Sequence, residues 1–315
     1  MKVKQIFDLA VKLGIKNDLR GEKKVLANLK KLKEKFAKLS EAQKKEFDEE
    51  ALFNPYLDSR ILFDLNKEVK KIYAGIDIDV AELLLAKQLG GVDLVIAHHP
   101  LGKGLTSLSQ VMPLQVEVLA DYGVPINVAE GCFKMRISEV SRGVSPANHY
   151  KAVNAAETLK ISLMCCHTVC DNLVANFLKK QMAKKKFEYV GEILEFLKTI
   201  PEYSEAMKRG AGPSLFAGSP DNYCGRIALT EITGGTEGSK EIYEKMAQVG
   251  IGTIIGMHMS EANKKEAEKH HINAIIAGHI SSDSIGVNLF LDELENRGVE
   301  VVTGSGIIRV KRSLK

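Results

Sequence analysis

Residues 71–100 read KIYAGIDIDVAELLLAKQLGGVDLVIAHHP. KIYAGIDI is a short β-type run, Asp79 can cap a helix over AELLLAKQLG, Gly90 and Gly91 end that helix, and VDLVIA follows as a buried strand. Strand, helix and strand in this order make a βαβ unit, which requires a parallel pair joined by a crossover helix. The same order returns in the C-terminal third. GRIALTEI is a strand, TGGTEGS a glycine-rich turn, KEIYEKMAQVG a helix, GTIIGM a strand, SEANKKEAEKHH a helix and NAIIAG a strand; the helix VNLFLDELENRG and the strand VEVVTGS close the chain. The expected class is α/β, with two α/β domains whose mixed or parallel sheets are flanked by helices.

Outward from this unit, the first 70 residues read as a helical N-terminal extension. Leu26, Leu29, Leu32, Phe36 and Leu39 recur at three- and four-residue intervals, Ser40 before EAQ is an N-cap, and NPYLDSR punctuates the segment. The chain's 315 residues suit two domains better than one. The expected divisions are the extension at 1–70, a first α/β domain at 71–190 with an insertion near 103–150, and a second α/β segment at 191–315.

The balance of 45% hydrophobic and 27% charged residues is that of a folded, water-soluble protein and excludes disordered and low-complexity classes. The net charge of +4 is unevenly spread: residues 1–71 hold 18 Lys or Arg against 12 Asp or Glu, and the rest 26 against 28. Acidic residues such as Glu34, Glu41 and Glu46 interleave with the lysines, so a solvated amphipathic face is expected in place of a nucleic-acid site. No apolar run approaches the ~18 residues of a membrane span, and charges interrupt the N-terminus where a signal peptide would need an apolar core. Five cysteines, an odd number in a chain of this size, fit thiols in a reducing compartment. Cytoplasmic location is the expectation.

Four apolar runs end in histidine. DLVIA leads to His98 and His99, ISLMCC to His167, TIIGM to His258 and NAIIAG to His279. Ligands of open α/β sheets bind beyond the carboxyl ends of strands, so these side chains are placed to converge in one crevice. His167 and His279 each have a carboxylate four residues on, Asp171 and Asp283; a helix starting at each histidine puts both members of the pair on one face. Imidazole and carboxylate are ligands for Zn, Mn, Fe or Co, and carboxylates can bridge two ions.

In that order, IAHHP, HTVCD and GHISSD resemble the motifs of the Nif-three-like proteins, known in bacteria as GTP cyclohydrolase 1 type 2 homologues; the resemblance spans roughly residues 72–315. It implies two α/β domains, two divalent metal ions in the cleft between them, and a homohexamer. It also implies His98, His99, His167, Asp171, His279 and Asp283 as the metal ligands. The chain departs from the family at Asp283, where glutamate is usual, and in the 67 residues between His99 and His167, about twice the usual interval. That extra length, with Arg136, Arg142 and His149, reads as a lid-forming loop or a surface elaboration at an oligomer interface.

The stretch CCHTVC has the chemistry of a zinc or thiolate site, but no second C-x-x-C lies near, and Cys165 and Cys166 fall inside an apolar strand where core packing is expected. TGGTEGSKE lacks the Walker order of lysine and serine and reads as a tight turn; Arg226 is the nearby cation if a nucleotide binds there. Two functions follow. The first is a metal-dependent hydrolase acting on a small molecule, a nucleotide by resemblance, with His258 the candidate acid–base residue. The second is a metal-binding scaffold or regulatory interaction protein that uses the basic N-terminal helices.

Overall fold

A computed structural model describes residues 1–312. Its strands are β1 (Arg60–Phe63), β2 (Lys71–Gly75), β3 (Leu94–Ala97), β4 (Ser162–Cys165), β5 (Ser214–Ala217), β6 (Arg226–Glu231), β7 (Ile251–Gly256), β8 (Asn273–Ile276) and β9 (Glu300–Thr303). They form two sheets, ordered β1-β4-β3-β2-β9 and β5-β8-β7-β6. Each sheet is parallel except for one antiparallel edge strand, β1 in the first and β5 in the second. The chain is thus α/β with mixed sheets, as its pattern predicts. The βαβ unit forms as read: β2 pairs with β3 from Ile72–Leu94 to Gly75–Ala97, and the helix Val80–Leu89 between them starts at Asp79 with a capping box completed by Glu82.

Two helices, Thr168–Met182 and His279–Glu295, lie between the sheets. Val169, Leu173, Val287 and Phe290 share a core with Ile72, Ala74, Leu94 and Ile96 of the first sheet. Val174, Leu178 and Ile285 share another with Leu229, Ile255 and Ile275 of the second. The two helices approach so closely that a Cβ on Gly286 would lie 2.3 Å from the Cys170 carbonyl oxygen. Glycine inside a helix costs about 1 kcal/mol relative to alanine, and here the close packing requires it.

The outer face of the first sheet is covered by helices Val80–Leu89 and Lys151–Leu159. The outer face of the second carries Met112, Val116, Leu119, Ala129 and Phe133, packed on Ala228, Ile254 and Ala274. These covering residues come from helices Pro113–Asp121 and Ile126–Val144 and the residue just before them. The segment read from sequence as a long loop is therefore helical, and it supplies a layer of the second sheet although it is inserted between two strands of the first. Its buried Ala129, Phe133 and Val140 recur at helical spacing, but Gly131, Gly143 and five charged residues of the same helix dilute the pattern.

Two further features cross the divisions at residues 70 and 191. β1 lies within the N-terminal segment yet pairs with β4, and β9 returns from the C-terminal third to pair with β2. A four-residue strand such as β1 is too short for its periodicity to stand out. Helix Val3–Asn17 buries Val3, Ile6, Phe7, Ala10, Val11 and Ile15 in the core that Thr168–Met182 shares with the first sheet, whereas Glu22–Ala37 buries only Val25. No helix of the described residues is long and apolar enough to cross a membrane.

Candidate metal centre

Each histidine of the pattern stands where a strand stops. His98 and His99 follow β3, and their backbone N–H groups still donate to Gly75 and Ile76, which extends the ladder to the sheet edge. His167 follows β4 and is the N-cap of Thr168–Met182; His279 follows β8 and opens His279–Glu295 after Gly278, whose φ of +102° turns the chain out of the strand. Asp171 and Asp283 then sit one turn into their helices. The ring centroids of His98 and His167 are 5.1 Å apart, as are those of His99 and His279.

The donor atoms gather in three groups, His98–His99–His167, His99–His279–Asp283 and His98–Asp171–Asp283, each with its atoms within 4.8 Å of one another. Asp283 belongs to two of them. Its Oδ1 lies 3.4 Å from His98 Nε2, and its Oδ2 lies 3.5 Å from His99 Nε2 and 3.6 Å from His279 Nε2. Asp171 Oδ1 is 3.4 Å from His98 Nε2, and Asp171 Oδ2 is 3.8 Å from His167 Nε2. These separations are long for hydrogen bonds. The shortest of them reach the ~3.0–3.4 Å between neighbouring donors around an ion with ligand bonds of ~2.0–2.1 Å, and the others are longer.

His98 Nε2, Asp171 Oδ1 and both oxygens of Asp283 are buried without a hydrogen-bond partner. Leaving such a group unpaired costs ~1–3 kcal/mol, more when it is charged. A cation among these donors relieves that cost, so the residues present fit divalent metal ions.

The other face of each imidazole is held. His98 Nδ1 lies 3.1 Å from the Cys166 carbonyl oxygen, His99 Nδ1 2.6 Å from Asp77 Oδ1, and His167 Nδ1 2.7 Å from Asp58 Oδ2. Donation from Nδ1 leaves Nε2 with its lone pair turned to the cluster, the arrangement that metal-ligating histidines use. Asp58 also accepts from Thr168 Oγ1 at 2.6 Å, and Ser59 Oγ accepts from the His167 backbone N–H at 2.9 Å. Sequence reasoning passed over Asp58 and Asp77. Asp58 lies in the stretch taken as punctuation, and Asp77 stands in a βα turn where only Asp79 had an evident role; no local spacing links either to its histidine.

The charges follow from this packing. Burial alone would raise the Asp283 carboxyl, but His98 and His99 overcome it and hold the group far below the usual carboxylate range. Asp171, where burial prevails over His167 and His98, is pushed up to about 6. His167 resists burial through Asp171 and Asp58 and rises to about 9, whereas burial lowers His279 to about 4. His258, at the end of β7, is lowered by burial and stays neutral at pH 7; its ring centroid is 5.1 Å from that of His279.

A cavity of about 20 Å³ separates this cluster from the second sheet, with His167, Asp171 and His279 on one side and Glu231, His258 and Thr236 on the other. Glu231, the last residue of β6, is a second omission of the sequence reading: it is 7% exposed and is pushed up to about 8 by burial and by Glu237. The TGGTEGS loop lines the cavity through Thr233, Gly235 and Thr236, held there by Gln115 Nε2, which donates to the Gly234 and Thr236 carbonyls. Arg226 is at the far end of β6 and donates to the Tyr122 carbonyl. Cys165, Cys166 and Cys170 are buried free thiols pushed up by burial, Cys165 to about 12, so they pack as small apolar groups.

No family model and no curated protein sequence matches the chain. Among solved structures it is similar to a NIF3 superfamily protein from Sphaerobacter thermophilus, at 28% identity and a TM-score of 0.70, over 79% of this chain and 91% of the other. It also matches reduced HcgD from Methanocaldococcus jannaschii (16% identity, TM-score 0.49, 78% and 87% of the two chains) and a Bacillus cereus protein related to NIF3 (11%, 0.45, 82% and 93%). With the fold of the first of these and with IAHHP, HTVCD and GHISSD brought together at one site, the chain is similar to the NIF3-like proteins in both fold and motifs.

Proposed function

We propose that the protein binds two divalent metal ions and is a metal-dependent hydrolase resembling GTP cyclohydrolase 1 type 2. The observation that carries this reading is Asp283, whose two buried oxygens lack partners and face different histidines. His98, Asp171 and Asp283 would hold one ion and His99, His279 and Asp283 the other, with His167 beside both. The shorter aspartate reaches because it sits one helical turn from His279, at 3.4–3.6 Å from three imidazoles. Zn, Mn, Fe and Co suit these donors alike.

Divalent ions held there supply Lewis acidity, which activates water and polarises the bond under attack. Neutral His258 is the candidate to take the proton that the water gives up. A pocket of about 460 Å³ opens on the other flank of His99, with Asp77, His149 and Lys151 in its walls. Its size suits a small-molecule substrate, a nucleotide by the family resemblance. Assembly as a homohexamer is part of the same proposal and is checked by analytical ultracentrifugation.

A second reading, a scaffold with structural or sensory metals, rests on helix Glu22–Ala37, which leaves Lys23, Lys30, Lys31, Lys33 and Lys35 exposed and buries only Val25. Elemental analysis of the purified protein beside His98→Ala tests the metal. About two ions per chain, falling sharply in the variant, supports the dinuclear site; no bound metal even after reconstitution overturns it. Turnover lost with His98 then favours the hydrolase, and metal-dependent partner capture without turnover favours the scaffold.

A further inference from the structure

Across the small cavity from the metal-binding cluster stands a buried carboxyl that forms no hydrogen bond with any of the six candidate ligands. Glu231 Oε1 accepts from the Gly238 backbone N–H at 3.3 Å, and Oε2 is buried without a partner. Glu231 belongs to none of the three donor groups. The 20 Å³ between them is about the space of one water molecule. We propose that Glu231 is the proton carrier of the cleft, exchanging a proton through Oε2 with the molecule that occupies this cavity. The inference rests on the hydrolase reading of the site.

The groups that bear on Glu231 are few. From its own sheet and loop come Glu237 and His258, from the covering helices Arg136 and Tyr243, and from the middle layer His167, Asp171 and His279. Burial and Glu237 favour the neutral acid, and Gly238 and Arg136 oppose them less. Without a metal the carboxyl thus holds a proton at neutral pH, whereas Asp283 is ionised.

In the hydrolysis the oxygen of water bonds to the electrophilic centre and the bond to the leaving atom breaks. Water gives a proton to neutral His258, His258 passes it to Glu231, which the bound ions would leave ionised, and Glu231 passes it on through the molecule in the cavity to the leaving atom. Both residues end as they began, so that one water is consumed and each product carries one of its hydrogens.

The test uses zinc alone, titrated calorimetrically into the metal-free full chain at pH 7 in two buffers of different ionisation enthalpy, which yields the protons released. Positive charge across the cavity expels the Glu231 proton, so Glu231→Gln is expected to bind the same number of ions and release about one proton fewer than wild type. An equal proton count overturns the proposal, and so does a lower ion count, which would make Glu231 a ligand. Absence of zinc binding in the wild type instead overturns the metal reading on which it rests. The wild type also provides a check that needs no variant: its infrared spectrum at pH 7 is expected to show a protonated-carboxyl band that disappears on zinc addition, and absence of that band counts against Glu231.

Discussion

Asp58 and His167 meet at 2.7 Å although 109 residues separate them, and the contact turns the imidazole so that Nε2 faces the histidine–aspartate cluster. Partners of this kind typically change metal affinity by ~10–100-fold when removed. Asp58→Ala is expected to weaken zinc binding by that factor in competition with a chromogenic chelator, and Asp58→Asn, which keeps an acceptor, to weaken it less. Wild-type affinity in Asp58→Ala would mean that the helix cap alone orients His167.

What the sequence disclosed and what it hid divide along chain separation. His98, His167 and His279 end apolar runs, and Asp171 and Asp283 stand one turn into helices that open at those ends, so strand-end placement and i, i+4 spacing brought six residues to one site. Asp58, Asp77 and Glu231 have no such local signature. Asp58 acts through a fold-dependent contact, and Glu231 lies in a run, GRIALTEI, where a terminal glutamate reads as a residue leaving the sheet for solvent. The insertion was hidden for a related reason: Phe133 and Val140 look unremarkable until the second sheet, built from residues more than 70 positions later, is there to be covered.

The middle helices tolerate no side chain at Gly286. A Cβ there would lie 2.3 Å from the Cys170 carbonyl oxygen, which is backbone and cannot swing aside. Gly286→Ala is expected to lose ~2–4 kcal/mol in a urea unfolding experiment, despite alanine's better helix propensity. Because the clash pushes apart the helices that carry Asp171 and Asp283, zinc affinity should fall with stability; unchanged stability would show that the pair can slide.

The C-terminal residues bind across two helices. Arg312 meets Glu202 with both guanidinium nitrogens at 2.6 Å, and Arg309 reaches Asp292 at 2.5 Å and Glu295 at 2.7 Å. Glu202 is fully buried, so removing its partner leaves a charge with only the Asn288 amide, at 2.9 Å, to satisfy it. Arg312→Ala is expected to cost ~2–4 kcal/mol, and adding Glu202→Gln to recover part of the loss, since the penalty lies mostly in the stranded carboxylate. Equal stability of the two variants by urea unfolding would mean that the tail contributes through its arginine's packing instead.

Glu231 also sets a pH dependence for the metal-free protein. Its folded value of about 8 lies above the 4.5 of an unperturbed glutamate, so between these values the folded state binds a proton that the unfolded state releases. Stability from this group is therefore highest below about pH 4.5, falls as pH rises through that window, and stops falling above about 8, with a total loss of about 3–5 kcal/mol. Glu231→Gln has no proton to lose. In chelator-treated samples its urea midpoint should exceed that of wild type at pH 8.5 and approach it near pH 5, where other groups titrate equally in both. A constant difference between the two proteins from pH 5 to 8.5 would mean that Glu231 is ionised throughout, as it would be if a cation or a solvent path reached Oε2 in the metal-free state.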